Sequence, residues 1–155
     1  MPVNSYKDLR VFQNAMGACM EIFELTKKFP PEEKFALVDQ VRRSSRAVCA
    51  ILAEAWRARR YPAAFSAKLD SAAGEAGETQ VWIEIAKQCG YLGENTAVHL
   101  DDVYEHIVAQ LISISRKPEP WLIAPRTQKT DSGRVDLANV RRSADPRGRA
   151  RECNG

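Results

Sequence analysis

The sequence predicts an all-α fold, an antiparallel up-and-down four-helix bundle followed by a largely irregular C-terminal tail, and three observations carry that expectation. Apolar residues recur at spacings of three and four in four successive stretches. Proline and glycine punctuate the chain between them, at Phe29-Pro30-Pro31, Tyr61-Pro62, Gly90-Tyr91-Leu92-Gly93 and Pro118-Glu119-Pro120. No stretch alternates apolar and polar residues long enough to make a strand. Connections this short leave no chain for a long crossover, so successive helices run antiparallel.

The first helix is expected from Asp8 to Lys28, with Leu9, Phe12, Met16, Cys19 and Phe23 as its core stripe. Ser5 and Asp8 have the spacing of a capping box, and Pro30 stops the far end. The second, Glu32 to Arg59, opens with Pro31 and two acids that suit the positive end of a helix dipole, and buries Val38, Val41, Ser45, Val48, Leu52 and Ala55. The third, Ala63 to Cys89, aligns Phe65, Leu69, Ala72, Ala76, Thr79, Ile83 and Ala86, with Gly90 as C-cap. Its run of Ala72, Ala73, Gly74, Ala76 and Gly77 allows close approach to a neighbour. The fourth, Thr96 to Lys117, aligns Leu100, Val103, Ile107, Leu111 and Ile114, with Thr96 as N-cap.

Length and composition agree with one bundle. A chain of 155 residues, 45% hydrophobic and 28% charged, is one domain that needs neither metal nor disulfide to fold. The expected division is a bundle over residues 1–117 and a basic, disordered tail over 118–155. Residues 1–117 hold 15 basic and 15 acidic side chains, so the net charge of +3 resides wholly in the tail. No apolar run approaches the length of a membrane span, and the N-terminus lacks the apolar segment of a secretory signal. A cytoplasmic protein without membrane contact is expected.

The third and fourth helices carry a second apolar stripe. Val81, Trp82 and Ile85 on one, and Tyr104, Val108 and Ile112 on the other, lie off the core stripes and are the candidate oligomer interface. The alternative is a wide stripe covered by Trp121-Leu122-Ile123.

Several pieces of sequence, in this order, resemble one family. They are Ser5-Tyr6-Lys7-Asp8-Leu9-Arg10-Val11-Phe12, Leu25-Thr26-Lys27-Lys28-Phe29-Pro30, Gln40-Val41-Arg42-Arg43-Ser44-Ser45, Ala53-Glu54, Glu78-Thr79-Gln80 and Ile85-Ala86-Lys87-Gln88-Cys89-Gly90-Tyr91-Leu92. Together they resemble the small bacterial four-helix-bundle proteins encoded in intervening sequences of 23S ribosomal RNA genes. The resemblance implies a homopentamer, and through a relative, the accessory variability protein of diversity-generating retroelements, contact with nucleic acid and a protein partner. It further implies Arg42, Arg43 and Arg46 as phosphate contacts. The family's helix-kinking proline and terminal glycine are replaced within Val48-Cys49-Ala50-Ile51-Leu52-Ala53-Glu54-Ala55, so a straighter second helix is expected.

On residue chemistry alone, Arg42 and Arg46 share a helix face, and Arg57, Arg59 and Arg60 close the same helix. Arginine forks match phosphate oxygens, making Arg42, Arg43, Arg46, Arg57, Arg59 and Arg60 the candidate nucleic-acid contacts, for RNA or DNA. The competing reading is a solvated face paired with Asp39 or Glu54, in a module that binds only protein. Tyr61, beside Arg59 and Arg60, is a secondary candidate for stacking on a base. Glu54, expected as an interior or interfacial acid paired with arginine, makes no di-iron set with Glu75 and Glu78, because no Glu-x-x-His pair exists. Cys19, Cys49, Cys89 and Cys153 lack metal-ligand spacing, and the first three read as small buried hydrophobes. His99 and His106 each stand within reach of Asp102 but have no nucleophile nearby in sequence, and nucleotide-cradling loops are missing. No enzyme, cofactor or metal is expected.

Overall fold

The computed structural model describes residues 3–124. It contains α1 (Arg10–Thr26), α2 (Leu37–Arg57), α3 (Pro62–Gln88) and α4 (Glu94–Arg116), with single 3-10 turns at Tyr6–Asp8, Pro31–Glu33 and Glu119–Trp121. Among the described residues there is no strand. Each helix packs on its neighbours around the bundle, α2 on α3 most closely and α1 on α4 most thinly. Most of the expected tail lies outside the described residues.

Local chemistry sets the helix ends. The Ser5–Asp8 capping box forms, but it caps the Tyr6–Asp8 turn, and extended Leu9 separates that turn from α1. Two acids follow Pro31 as expected, yet they form an isolated turn, because Ala36 at φ −123°, ψ −104° breaks the helical path and α2 starts at Leu37. At the other end of the bundle, Gly90 takes φ +77°, and Gly90 N donates to Lys87 O while Tyr91 N donates to Ala86 O. That is a Schellman motif, and the left-handed residue it requires explains the glycine. Gly93, rather than Thr96, caps α4.

The core stripe of α3 is Phe65, Leu69, Ala72, Ala76, Thr79, Ile83 and Ala86, as the periodicity predicts. The stripe of α1 is rotated from the expected one. Val11, Ala15, Ala18, Ile22 and Thr26 are buried with Phe12 and Cys19, whereas Met16 is exposed and Phe23 half-buried. Small alanines face the centre because the helices approach too closely there for a larger side chain. On α4, Tyr104 belongs to the core stripe with Leu100, Ile107 and Leu111, and Val103 is half-buried.

Two apolar clusters result. The main one fills the bundle, and a small one of Phe29, Leu37, Val38 and Ala86 closes the end beneath the α1–α2 connection, with Trp82 packing against both. Trp121 and Leu122 pack on the main cluster, and Ile123 N donates to Arg59 O, so the chain just after α4 is held against the bundle. Leu100 is completely buried at the centre. Leu100→Ala is expected to cost about 2–5 kcal/mol in urea denaturation, through lost burial and the cavity left behind.

Candidate functional site

Helix α2 and the turn that follows it, where Arg59 and Arg60 lie past the helix end at Arg57, display the basic residues, and the structure divides them into two groups. Arg42 lies half-buried against α1, where Nε donates to Thr26 Oγ1 at 2.8 Å, Nη2 donates to Phe23 O at 3.3 Å, and the guanidinium stacks 4.8 Å from the Phe23 ring. Arg43 turns the other way and pairs with Glu78 and Glu75 on α3. Glu78 also accepts from Trp82 Nε1 at 3.1 Å, and these two donors, Trp82 first, hold its carboxyl below the usual carboxylate range. Arg59 stacks on Trp56 and donates Nε to Trp56 O at 2.8 Å. Burial of the Arg59 guanidinium, followed by the charge of Arg57, lowers its pKa. All three fasten the bundle to itself.

Arg46, Arg57 and Arg60 remain exposed. Arg46 and Arg57 are separated by three helical turns on one stripe with Ala50 and Ala53 between them, a span of about 16 Å along the axis. Tyr61 is 68% exposed just beyond Arg60. This edge can present two or three guanidinium forks and one aromatic face to a polyanion. Of the carboxylates named in the sequence, Glu75 and Glu78 are half-buried against Arg43. Glu54 is exposed and pairs with Lys68, which corrects its expected place as an interior acid with an arginine partner.

The apolar candidates divide in the same manner. Val81 and Ile85 on α3 and Ile112 on α4 are exposed, and Val108 is half-buried. Gly74 and Gly77 continue the α3 stripe, and a Cβ at either position would meet open space. Val108 and Ile112, with Glu105, Ala109 and Arg116, line a shallow groove of about 510 Å³ along α4. Gln80 Nε2 donates to Asp101 Oδ1 and Glu105 Oε2 and marks where this face crosses from α3 to α4. Tyr104 does not belong to the face. It is wholly buried in the core of its own bundle, so its expected interface role is corrected. Trp82 is half-buried, with its indole across the two apolar clusters. The Trp121 cover lies elsewhere, on the α1 side of α4 beside Leu9, His106 and Ile114.

The thin seam between α1 and α4 opens into a polar groove of about 470 Å³ containing Asn14, Glu21, His99, Asp102 and His106. His99 Nε2 stands 3.2 Å from Glu21 Oε2 across the seam, a partner 78 residues away that no local spacing reveals. Among the described residues no three His, Cys, Asp or Glu side chains converge as metal ligands. None of the helices described is long and apolar enough to cross a membrane.

The model of a family described as 23S rRNA-intervening sequence protein matches residues 7–113. Among solved structures, the chain is similar to a protein of unknown function from the S23 ribosomal protein family of Bacteroides thetaiotaomicron. The TM-score is 0.63, with 29% sequence identity over 68% of this chain and 95% of that one. No curated protein matches the chain.

Two arginines four residues apart should respond differently to truncation. Arg42→Ala is expected to lose about 1–3 kcal/mol of stability, because the buried Thr26 hydroxyl and the Phe23 ring lose their charged partner, whereas Arg46→Ala should stay within about 0.5 kcal/mol of the parent. Chemical denaturation of the two variants tests the division. Because the Glu78 pKa is depressed, its carboxylate stabilises the fold above the ordinary glutamate value of about 4.3 and ceases to do so as the pH falls through its own lower value. Glu78→Gln should therefore flatten the loss of stability seen between pH 5 and pH 3, taken as rough limits.

Proposed function

This chain belongs to the 23S rRNA-intervening sequence protein family, and we propose that it is a non-enzymatic, cytoplasmic helical-bundle scaffold that assembles with copies of itself and presents arginines to nucleic acid. The observation that carries the assembly is the bare apolar stripe of α3 and α4. Val81 is 55% exposed, Ile85 38% and Ile112 37%, beside two glycines with open space above them. Scattered apolar side chains are ordinary on a surface, but an aligned stripe over two adjacent helices, next to backbone that a neighbour can approach, favours a partner helix. A ring of five is the assembly implied by the resemblance to this family and to the accessory variability protein.

Repetition by symmetry addresses the charge balance. One bundle carries too little net charge to attract a polyanion from a distance, but several copies of the Arg46, Arg57 and Arg60 edge in one assembly give a repeated array of phosphate-sized forks. The phosphate contacts assigned here are Arg46, Arg57 and Arg60, since Arg42, Arg43 and Arg59 already hold intramolecular partners. Those internal partners also favour the second reading, a protein-binding module in which arginine serves chiefly to fasten helices.

The test combines mass and binding on one sample. The full chain should sediment as an oligomer, and Val81→Glu with Ile112→Glu should reduce it to a folded monomer. Labelled single-stranded and duplex RNA and DNA should bind with a steep dependence on salt between about 50 and 200 mM. Arg46→Glu, Arg57→Glu and Arg60→Glu together should weaken that binding at least about tenfold while the mass stays unchanged, through loss of several phosphate contacts per copy. An intact oligomer that binds none of these polymers at low salt would leave the protein-binding module as the function, and a chain that is monomeric at every concentration would remove the self-assembling scaffold.

A further inference from the structure

Between α1 and α2 the surface opens into a groove of about 400 Å³. Its α1 wall carries Met16 and Met20, 39% and 49% exposed, and on the α2 wall Ala50 and Ala53 are too small to close it. Tyr6 also lines it, half-buried, with its ring packed T-shaped on Phe12 at 5.0 Å between centroids. Arg46 is the single charged side chain of the lining. Exposed methionines beside small residues form an adaptable surface for a flat apolar partner.

The α2 wall continues as a ridge of cations. Ala50 and Ala53 stand between Arg46 and Arg57, and Arg60 and Tyr61 follow in the turn before α3. Among the described residues none of these three arginines pairs with a carboxylate. Tyr61 is 68% exposed, and no other ring or cation among the described residues stacks on it. Its backbone is nevertheless fixed. Tyr61 N donates to Ala58 O at 2.8 Å, Ile123 N donates to Arg59 O at 3.1 Å, and Pro62 begins α3. An aromatic face already held in place loses little entropy when a partner covers it. On the flank of α2 toward α3 the balance reverses: Glu54 with Lys68, and Glu75 and Glu78 with Arg43, set three carboxylates against two cations. The unpaired positive charge is therefore one helix wide, with an apolar groove along one side and carboxylates along the other.

We propose that this groove and ridge hold a single strand of RNA or DNA, with phosphates on Arg46, Arg57 and Arg60, bases against Met16 and Met20 in the groove, and one base stacked on Tyr61. The assignment rests on the nucleic-acid reading above and narrows it to unpaired strands. A polyanion satisfies the ridge, and the flat face of a base supplies the apolar surface that the groove lacks. In a duplex those faces are stacked on one another and the grooves present base edges alone, so neither Tyr61 nor the methionines gain a contact. A duplex also brings a second row of phosphates, which the carboxylates on the α3 flank repel. An isolated exposed aromatic beside arginines is the combination that stacks unpaired bases, and it favours the strand over an acidic amphipathic helix. With no amide or carboxylate side chain in the groove lining to read base edges, binding tolerates any sequence.

The test is fluorescence anisotropy on the full chain at about 50 mM salt. The probes are labelled oligouridylate and oligothymidylate of about 16 nucleotides, a duplex of the same length, and an abasic strand that keeps every phosphate. The unpaired strands should bind at least about tenfold more tightly than either the duplex or the abasic strand. Tyr61→Ala should weaken strand binding about tenfold and Tyr61→Phe should restore it, while Ala50→Leu with Ala53→Leu, which fills the groove, should weaken it by a similar factor with an unchanged circular dichroism spectrum. If the duplex or the abasic strand binds as tightly as the intact strand, contact is with phosphate alone: the nucleic-acid reading stands and this proposal falls. If no polymer binds, both fall together. Unchanged strand affinity in either the Tyr61→Ala or the groove-filled protein overturns the proposal, and so does a groove that takes up an amphipathic Glu-Leu peptide but no strand.

Discussion

The close approach of α2 to α3 is the constraint on which the rest of the structure depends. Ser44, Ser45 and Val48 on α2 and Ala72, Ala76 and Thr79 on α3 are all fully or almost fully buried, and Ser44 meets Thr79 across this seam. Side chains this small bring the two backbones near each other, and the contact gains by dispersion what it lacks in bulk. One buried polar pair marks the register: the hydroxyls of Ser44 and Thr79 are hydrogen-bonded at 2.8 Å, and a slide along the axis would break that bond and leave each hydroxyl only a carbonyl of its own helix, Val41 O for Ser44 and Glu75 O for Thr79. With that register set, Arg43 meets Glu75 and Glu78, and Lys68 meets Glu54, along the outside of the same seam.

The tight seam on one side has a loose counterpart on the other. Helices α1 and α4 meet thinly, and the gap is occupied by polar side chains joined through Glu21 and His99. Bulk is supplied instead by α4, whose Leu100, Tyr104, Ile107 and Leu111 fill the centre that the alanines of α1 and α3 leave open. This exchange of small for large residues draws Tyr104 inward and leaves Val81, Ile85 and Ile112 outside. The apolar face therefore follows from how the core is filled, since each helix can direct only one stripe toward the centre.

Arginine has two uses in this bundle, and position along α2 and the turn after it decides between them. Arg42, Arg43 and Arg59 each find a carbonyl, a carboxylate or an aromatic ring within reach, so their charge is spent inside the protomer. Arg46 and Arg57 stand exposed on a neighbouring stripe, with Ala50 and Ala53 between them.

The sequence by itself determined the four helices, their breaks and most of the buried stripes, because apolar periodicity and the conformational limits of proline and glycine act over a few residues. The stripe of α3 was legible residue by residue, and so was the Gly90 cap. The rotation of α1, the inward place of Tyr104 and the isolated turn at Pro31 were not, since each depends on how near a second helix comes. The six arginines were legible as a group, but the assignment of Arg42 and Arg43 as fasteners rests on partners 16 and 35 residues away, Thr26 and Glu78. Met16, Cys19 and Met20 share a helix face in the sequence, yet only the tertiary structure brings Cys49 against them, because a contact between helices is fixed by packing and register rather than by spacing along the chain.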